Sequence, residues 1–255
     1  MSFMPFDTSV PWGSPLAAGR ERHDLRELSI GYGLILLAVW TPHPWQWPVN
    51  LAALAWVFIA TVVSSDGWSA LGLRLSGTLR SLWVVGLALL LAAAAVSVAG
   101  RLHTLHLPGT PMLFVQRYWG YTLWAFLQEF LLLGFILPRL LRLLPGRNAA
   151  VLAAAGLFAF AHLPNPILTP ATLIWGLAAA SLFLRYRNVY TLALAHAIFG
   201  ISIAITIPGP VTHHMKVGLG YLMYRPSEHH HYGQKSWSSR LGPRLGPACS
   251  KPSGV

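Results

Sequence analysis

Residues 118–137 read YWGYTLWAFLQEFLLLGFIL, with a single carboxylate, Glu129, near the middle. Twenty largely apolar residues in helical form are long enough to cross a bilayer. A charged side chain at the centre of such a span costs roughly 2.5–3.5 kcal/mol on insertion scales. Glu129 is also the only carboxylate between Asp66 and Glu228. Acids kept at that cost face a bundle interior or a polar cavity. Glu129 therefore marks a candidate site, and the question becomes what it works with.

The rest of the chain fits the same setting. Hydrophobic residues make up 55% and charged residues 10% of the sequence, against about a quarter charged in soluble domains. The formal net charge of +11 would suit a phosphate-binding surface. The cations, however, stand in pairs and triplets at the ends of apolar runs, as the positive-inside rule requires, so no nucleic-acid partner is expected. Membrane lipids are. The one cysteine, Cys249, excludes an intramolecular disulfide and any cysteine-rich metal site, and the N-terminus lacks the order of a signal peptide.

Taken in order, the sequence predicts an all-α polytopic transmembrane bundle of about seven spans. Residues 1–27 form a flexible, charged N-terminal segment whose run RERHDLRE (20–27) lies at the headgroups. The spans are 28–40 (short at 13 residues), 49–63, 81–100, 118–137, 148–163, 169–184 and 188–207. Pro138 and the basic residues Arg139, Arg142 and Arg147 are expected to end the fourth. Residues 208–225 read as an interfacial segment, and the Ser-, Gly- and Pro-rich residues 226–255 as a disordered tail. With the N-terminus inside, ten arginines fall on the inner side: Arg20, Arg22, Arg26, Arg74, Arg80, Arg139, Arg142, Arg147, Arg185 and Arg187. The short outer loops hold only Arg101 and Arg117.

Of eleven histidines, only His162 (FAFAHL) and His196 (LALAHAIFG) lie inside apolar spans. With Glu129 they place three ionisable groups on three helices, and lipid can satisfy none of them. Convergence in the bundle interior follows. A carboxylate near two imidazoles can activate water, the Glu as general base and a His orienting the water or stabilising an oxyanion. An inert, mutually satisfied polar cluster is the plainer alternative. Two His and one Glu also match a zinc set, but with no H-E-x-x-H and three separate helices zinc is the weaker option, and no cofactor is expected. No G-x-S-x-G supports a serine nucleophile.

The order of these motifs resembles the CPBP family of intramembrane proteases, which includes CAAX prenyl proteases and bacteriocin-processing proteins. That family carries E-E-x-x-x-R on one helix, F-x-x-x-H on the next, and H-x-x-x-N two helices later. Here Phe158-Ala-Phe-Ala-His162 supplies the second and His196-Ala-Ile-Phe-Gly200 the third, with Gly in the Asn place. Gln128-Glu129 aligns with the first. The resemblance covers residues 118–207 and implies catalytic roles for Glu129, His162 and His196. Gln128, Phe158 and Gly200 would bind substrate or support them. It also implies a membrane-associated peptide or protein as substrate and, for this chain, the bacterial inner membrane as location.

The departures fall on the chemistry. The first family Glu, the usual water activator, is Gln128, and an amide is no general base at neutral pH. The family Arg position is Leu133. Two readings follow. In one, Glu129 is the base of an active peptidase, although it lies about 100° round the helix from Gln128 and needs a rotation or bend to reach the histidines. In the other, the chain is a catalytically inactive, protease-like binding or maturation factor. A third, a small transporter with a Glu/His proton relay, lacks the internal repeat common in transporters.

Overall fold

The computed structural model describes residues 15–64, 71–73 and 75–225, and every regular element among them is helical. The expectations for residues 1–14, Arg74 and the tail beyond Arg225 lie outside the described residues. The helices are α1 (Pro15–Trp40), α2 (Gln46–Ser64), α3 (Thr78–Arg101), α4 (Pro111–Phe130), α5 (Leu137–Leu143), α6 (Arg147–Phe160), α7 (Leu168–Tyr186), α8 (Val189–Thr206), α9 (Gly209–Thr212) and α10 (Gly218–Leu222). Five stretches are long and apolar enough to cross a membrane: α2, α3, Pro111–Leu143, α7 and α8. α6, at 14 residues, is shorter, and α1 is long but charged in its first half. Large side chains such as Leu79, Leu90, Trp119 and Ile174 stay exposed on the outer faces, where lipid rather than water is the natural solvent.

Three expectations change. The charged run is not a separate turn. It is continuous with residues 28–40 in α1, because two of its acids are buried in the bundle. Asp24 meets Arg142 through two hydrogen bonds of 2.7 Å. Glu27 Oε2 accepts from Arg139 Nε at 3.0 Å and Nη2 at 2.8 Å, while Oε1 accepts from Ser64. The pairing 24 with 142 and 27 with 139 fixes α1 antiparallel to α5.

Pro138 does not end the fourth span either. Helix runs from Pro111 to Leu143, widened into a π turn over Leu131–Ile136. Proline offers no N–H and its ring crowds the carbonyl four residues back, so the turn before it opens and the amide of Leu137 bonds the Leu132 carbonyl instead. The Arg139 side chain then returns to the Phe135 carbonyl at 2.9 Å and stacks on that ring at 4.1 Å. Arg139 is thus 2% exposed rather than part of a loop. Leu132 to Leu137 are all buried, and the apolar core of the bundle is centred on them.

The third change concerns the end of α6. Its 14 residues rise only about 21 Å, short of a hydrocarbon core of about 30 Å. The turn that follows at His162 therefore makes up the rest of any crossing. Irregular backbone there must be satisfied by protein, and residues 209–218 do this. Asn165, fully buried, donates to the carbonyls of Thr212 at 2.8 Å and Lys216 at 3.0 Å. Its Oδ1 accepts from the amides of Ile167 and Leu168 at the start of α7. The amide of Gly218 donates to Leu163. Gly218 has φ +53° and a Cβ there would strike Val39 of α1, so this cap is keyed to α1 as well. What reads as an interfacial segment folds back over the helix ends.

Candidate active site

α6 and α7 meet through small residues. Gly176 lies so close to α6 that an added Cβ would stand 3.1 Å from the Ala155 Cα. Between helices in lipid, such small-residue contacts allow the close approach that dispersion packing needs. The neighbours of this contact, Phe158 and Trp175, are thereby carried to the histidines. The Phe158 ring is edge-on to His162 (centroids 4.9 Å, 68°) and to His196 (5.9 Å, 88°). One phenyl group therefore holds the planes of both imidazoles.

Gln128 and Glu129 diverge from successive positions on α4 to different histidines. Glu129 is fully buried, and its Oε1 accepts from His196 Nδ1 at 2.8 Å and from the indole N–H of Trp175. An indole only donates. The arrangement that satisfies all three groups has Oε1 receiving both N–H groups, which leaves the lone pair of His196 on Nε2. Glu129 Oε2 has no hydrogen-bond partner among the described residues. Gln128 Nε2 lies 3.3 Å from His162 Nε2, and His162 Nδ1 lies 2.7 Å from the Phe158 carbonyl. A carbonyl only accepts, so the proton sits on Nδ1 and the Gln128 amide donates to Nε2.

No rotation of α4 is needed for these contacts. The helix is regular through Phe130, the π turn begins only at Leu131, and the 100° between the two side chains is what sends each to its own imidazole. Leu133, in the place of the family arginine, is buried in apolar core. The nearest counterpart in sequence, Arg139, is committed to Glu27. Glu129 has an indole and an imidazole as partners where the family pattern has a guanidinium.

A cavity of about 300 Å³ opens on the cluster. Gln128, Phe158, His162, Trp175, His196 and Gly200 line it, with Tyr121 opposite Gly200. Glu129 does not line it and stands behind His196 and Trp175. Most of the remaining wall is apolar, from α1, α2 and the cap residues Met215 and Val217. Among the described residues, the one His/Asp/Glu group with ligand atoms within 4.8 Å of one another is His23, Asp24 and Glu27, and arginines already hold both its acids. Glu129, His162 and His196 do not bring one ligand atom each within that distance of one another.

Sequence reasoning missed Trp175, Tyr121 and Asn165. Trp175 carried a usable signal: tryptophans in membrane proteins favour the interfaces, and one in mid-span must find an acceptor for its N–H. Glu129 is the one carboxylate in that stretch of chain. Asn165 stands between two prolines, a setting that carries no signal of a buried role.

Residues 110–202 match the family model described as type II CAAX prenyl endopeptidase, Rce1-like. No curated protein and no solved structure matches the chain. The matched segment runs from the Thr110 cap of α4 into α8 and contains every residue of the cluster just described. Five membrane-length apolar helices and this match support an integral membrane protein whose residues 110–202 are similar to the CAAX-type intramembrane proteases of the CPBP family.

Proposed function

We propose that the chain is an intramembrane endopeptidase in which His196, rather than Glu129, takes the proton from the attacking water. The observation that carries this is the pair itself: Glu129 is sealed from the cavity and holds His196 Nδ1, while His196 lines the cavity with its Nε2 lone pair free. Water in the cavity gives a proton to Nε2 as its oxygen bonds the scissile carbonyl carbon. The carbonyl π electrons move to oxygen. As the tetrahedral species collapses, the C–N bond breaks and the same proton passes from Nε2 to the leaving nitrogen. Glu129, receiving N–H groups from His196 and Trp175, fixes the imidazole and offsets its charge in the transition state. Glu129 and Trp175 are positioning residues in this scheme. Gln128 and His162 orient the water, the Gln128 carboxamide oxygen as acceptor.

The substrate is a membrane-associated peptide or protein, its lipophilic part held by the apolar wall from α1, α2 and the cap. The prenyl group named in the family description is a fitting example. α1 and α6 complete seven passes, the N-terminus lies inside, and the bacterial inner membrane is the expected location. No metal enters the scheme. The test is cleavage of a prenylated, membrane-anchored peptide by purified protein in liposomes. His196→Gln should abolish cleavage without unfolding, and an inert wild-type protein would refute the proposal.

A second reading is favoured by one contact. Gln128 occupies the Nε2 lone pair of His162, so a chain that only binds its target would have this imidazole already satisfied. Such a protein would retain the peptide without cutting it, and would begin to cut on Gln128→Glu.

A further inference from the structure

We propose that the hydroxyl of Tyr121 is the oxyanion donor of this site, standing over the bare backbone of Gly200. The inference rests on the peptidase reading above and adds to it the group that stabilises the negative oxygen.

Any Cβ at position 200 would collide with the Tyr121 hydroxyl, and with the ring carbons next to it. The phenol occupies the volume a side chain would otherwise fill. Gly200 lies four residues after His196 on α8, about 6 Å of helical rise and on the same face. Tyr121 lies seven residues before Gln128 on α4, two turns along the same face. Both line the cavity that holds His196 and Gln128.

The hydroxyl makes no hydrogen bond to any described residue, whereas the other donors around the reacting centre are engaged. The Trp175 indole is on Glu129 and the Gln128 amide is on His162. Tyr32, the other phenol of the cavity, donates to the Leu157 carbonyl at 2.8 Å. Attack by water leaves a full charge on the former carbonyl oxygen, and a donor already in place in a water-poor site is worth most at that moment. Tyr121 has the free proton, and the missing side chain at Gly200 makes the room in which its hydroxyl stands at the cavity wall.

The experiment is Tyr121→Phe, which keeps the ring and removes only the hydroxyl, assayed with the prenylated peptide in liposomes beside the wild type. The expected result is a 10²–10³-fold loss in kcat, little change in KM, and unchanged thermal unfolding. A second arm pairs Tyr121→Ala with Gly200→Asn. Removing the ring clears the space, the new carboxamide offers an N–H from the facing helix, and kcat should rise at least tenfold over Tyr121→Ala alone. If the wild type cleaves and Tyr121→Phe keeps its kcat, or loses activity through KM only, the role of Tyr121 is overturned and the peptidase reading stands. If the wild type does not cleave, the peptidase reading fails and this inference falls with it.

Discussion

Glu129 and His196 are joined across α4 and α8 by a 2.8 Å hydrogen bond from Nδ1 to Oε1, and the same oxygen accepts the Trp175 indole N–H. The cavity sees the imidazole and not the acid. Glu129→Gln would keep an acceptor for Nδ1 but remove the charge that offsets an imidazolium. We expect kcat to fall about 10²–10⁴-fold with KM unchanged, measured on the prenylated peptide in liposomes. Trp175→Phe removes one hydrogen bond to a charged group, worth about 1.5–3 kcal/mol, and should lower kcat about 10- to 100-fold. Equal losses in KM and kcat would place Glu129 in substrate binding instead.

The contact between Gln128 and His162 predicts a tautomer. With Nδ1 donating to the Phe158 carbonyl and Nε2 accepting from the amide, His162 should be neutral and protonated on Nδ1 alone. Nitrogen shifts of 15N-histidine-labelled protein would report this directly. In Gln128→Glu an ionised facing carboxylate accepts only, so Nε2 must then gain a proton, and its nitrogen shift should move towards the protonated value. Cleavage should also rise, since the cavity gains a carboxylate. A wild-type His162 protonated on Nε2 would contradict the hydrogen-bond assignment.

Much of this site was legible because membrane residence makes polar groups conspicuous. Glu129, His162 and His196 stood out as ionisable groups in apolar runs, and the structure brings each against the others or against Gln128. Their division of labour was not legible. Which of two adjacent side chains faces the cavity depends on where α7 and α8 lie, and nothing in QEF states that. The buried pairs of α1 were hidden for a related reason. Asp24 and Glu27 lie in a run of mixed charge that suits the headgroups equally well. Their spacing of three residues, matched by Arg139 and Arg142, becomes informative only once α1 and α5 are known to be neighbours. Pro138 misled because a proline that opens a turn and a proline that ends a helix look alike in sequence.

Those pairs make a stability prediction. Arg139 is 2% exposed, and among the described residues its partner Glu27 meets besides it only the exposed imidazole of His23, at 3.7 Å. Arg139→Met leaves a buried carboxylate without its guanidinium and should cost about 3–5 kcal/mol, measured by thermal or chemical unfolding in detergent. Removing both charges with Glu27→Leu and Arg139→Met should recover at least half of that loss, because desolvation of the pair is then avoided. Arg142→Met should cost less than Arg139→Met, as Arg142 keeps 22% side-chain exposure and water shares its pairing. A double variant as unstable as the single would assign Arg139 a packing role on Phe135 rather than an ionic one.

Asn165 holds the cap against the helix ends, and the cap is strained. His213, His214 and Met215 have φ of +48°, +53° and +63°, a left-handed run that costs roughly 1–2 kcal/mol per residue outside glycine. It persists because Asn165 takes the Thr212 and Lys216 carbonyls, and because His213 stacks on Tyr221 at 3.9 Å and donates to its carbonyl. Asn165→Asp keeps the Oδ1 acceptor for the first amides of α7 and loses both donors to the cap. It should therefore release residues 209–218 without fraying α7. The opening free energy of the cap should fall by about 1–3 kcal/mol, read as roughly 10- to 100-fold faster amide exchange there and unchanged exchange in α4 and α8. Because Met215 and Val217 form cavity wall, the same variant should admit bulkier peptides, lowering their KM relative to small ones. Exchange that stays at the wild-type rate over 209–218 would show that the stacking on Tyr221, and not Asn165, holds the cap closed.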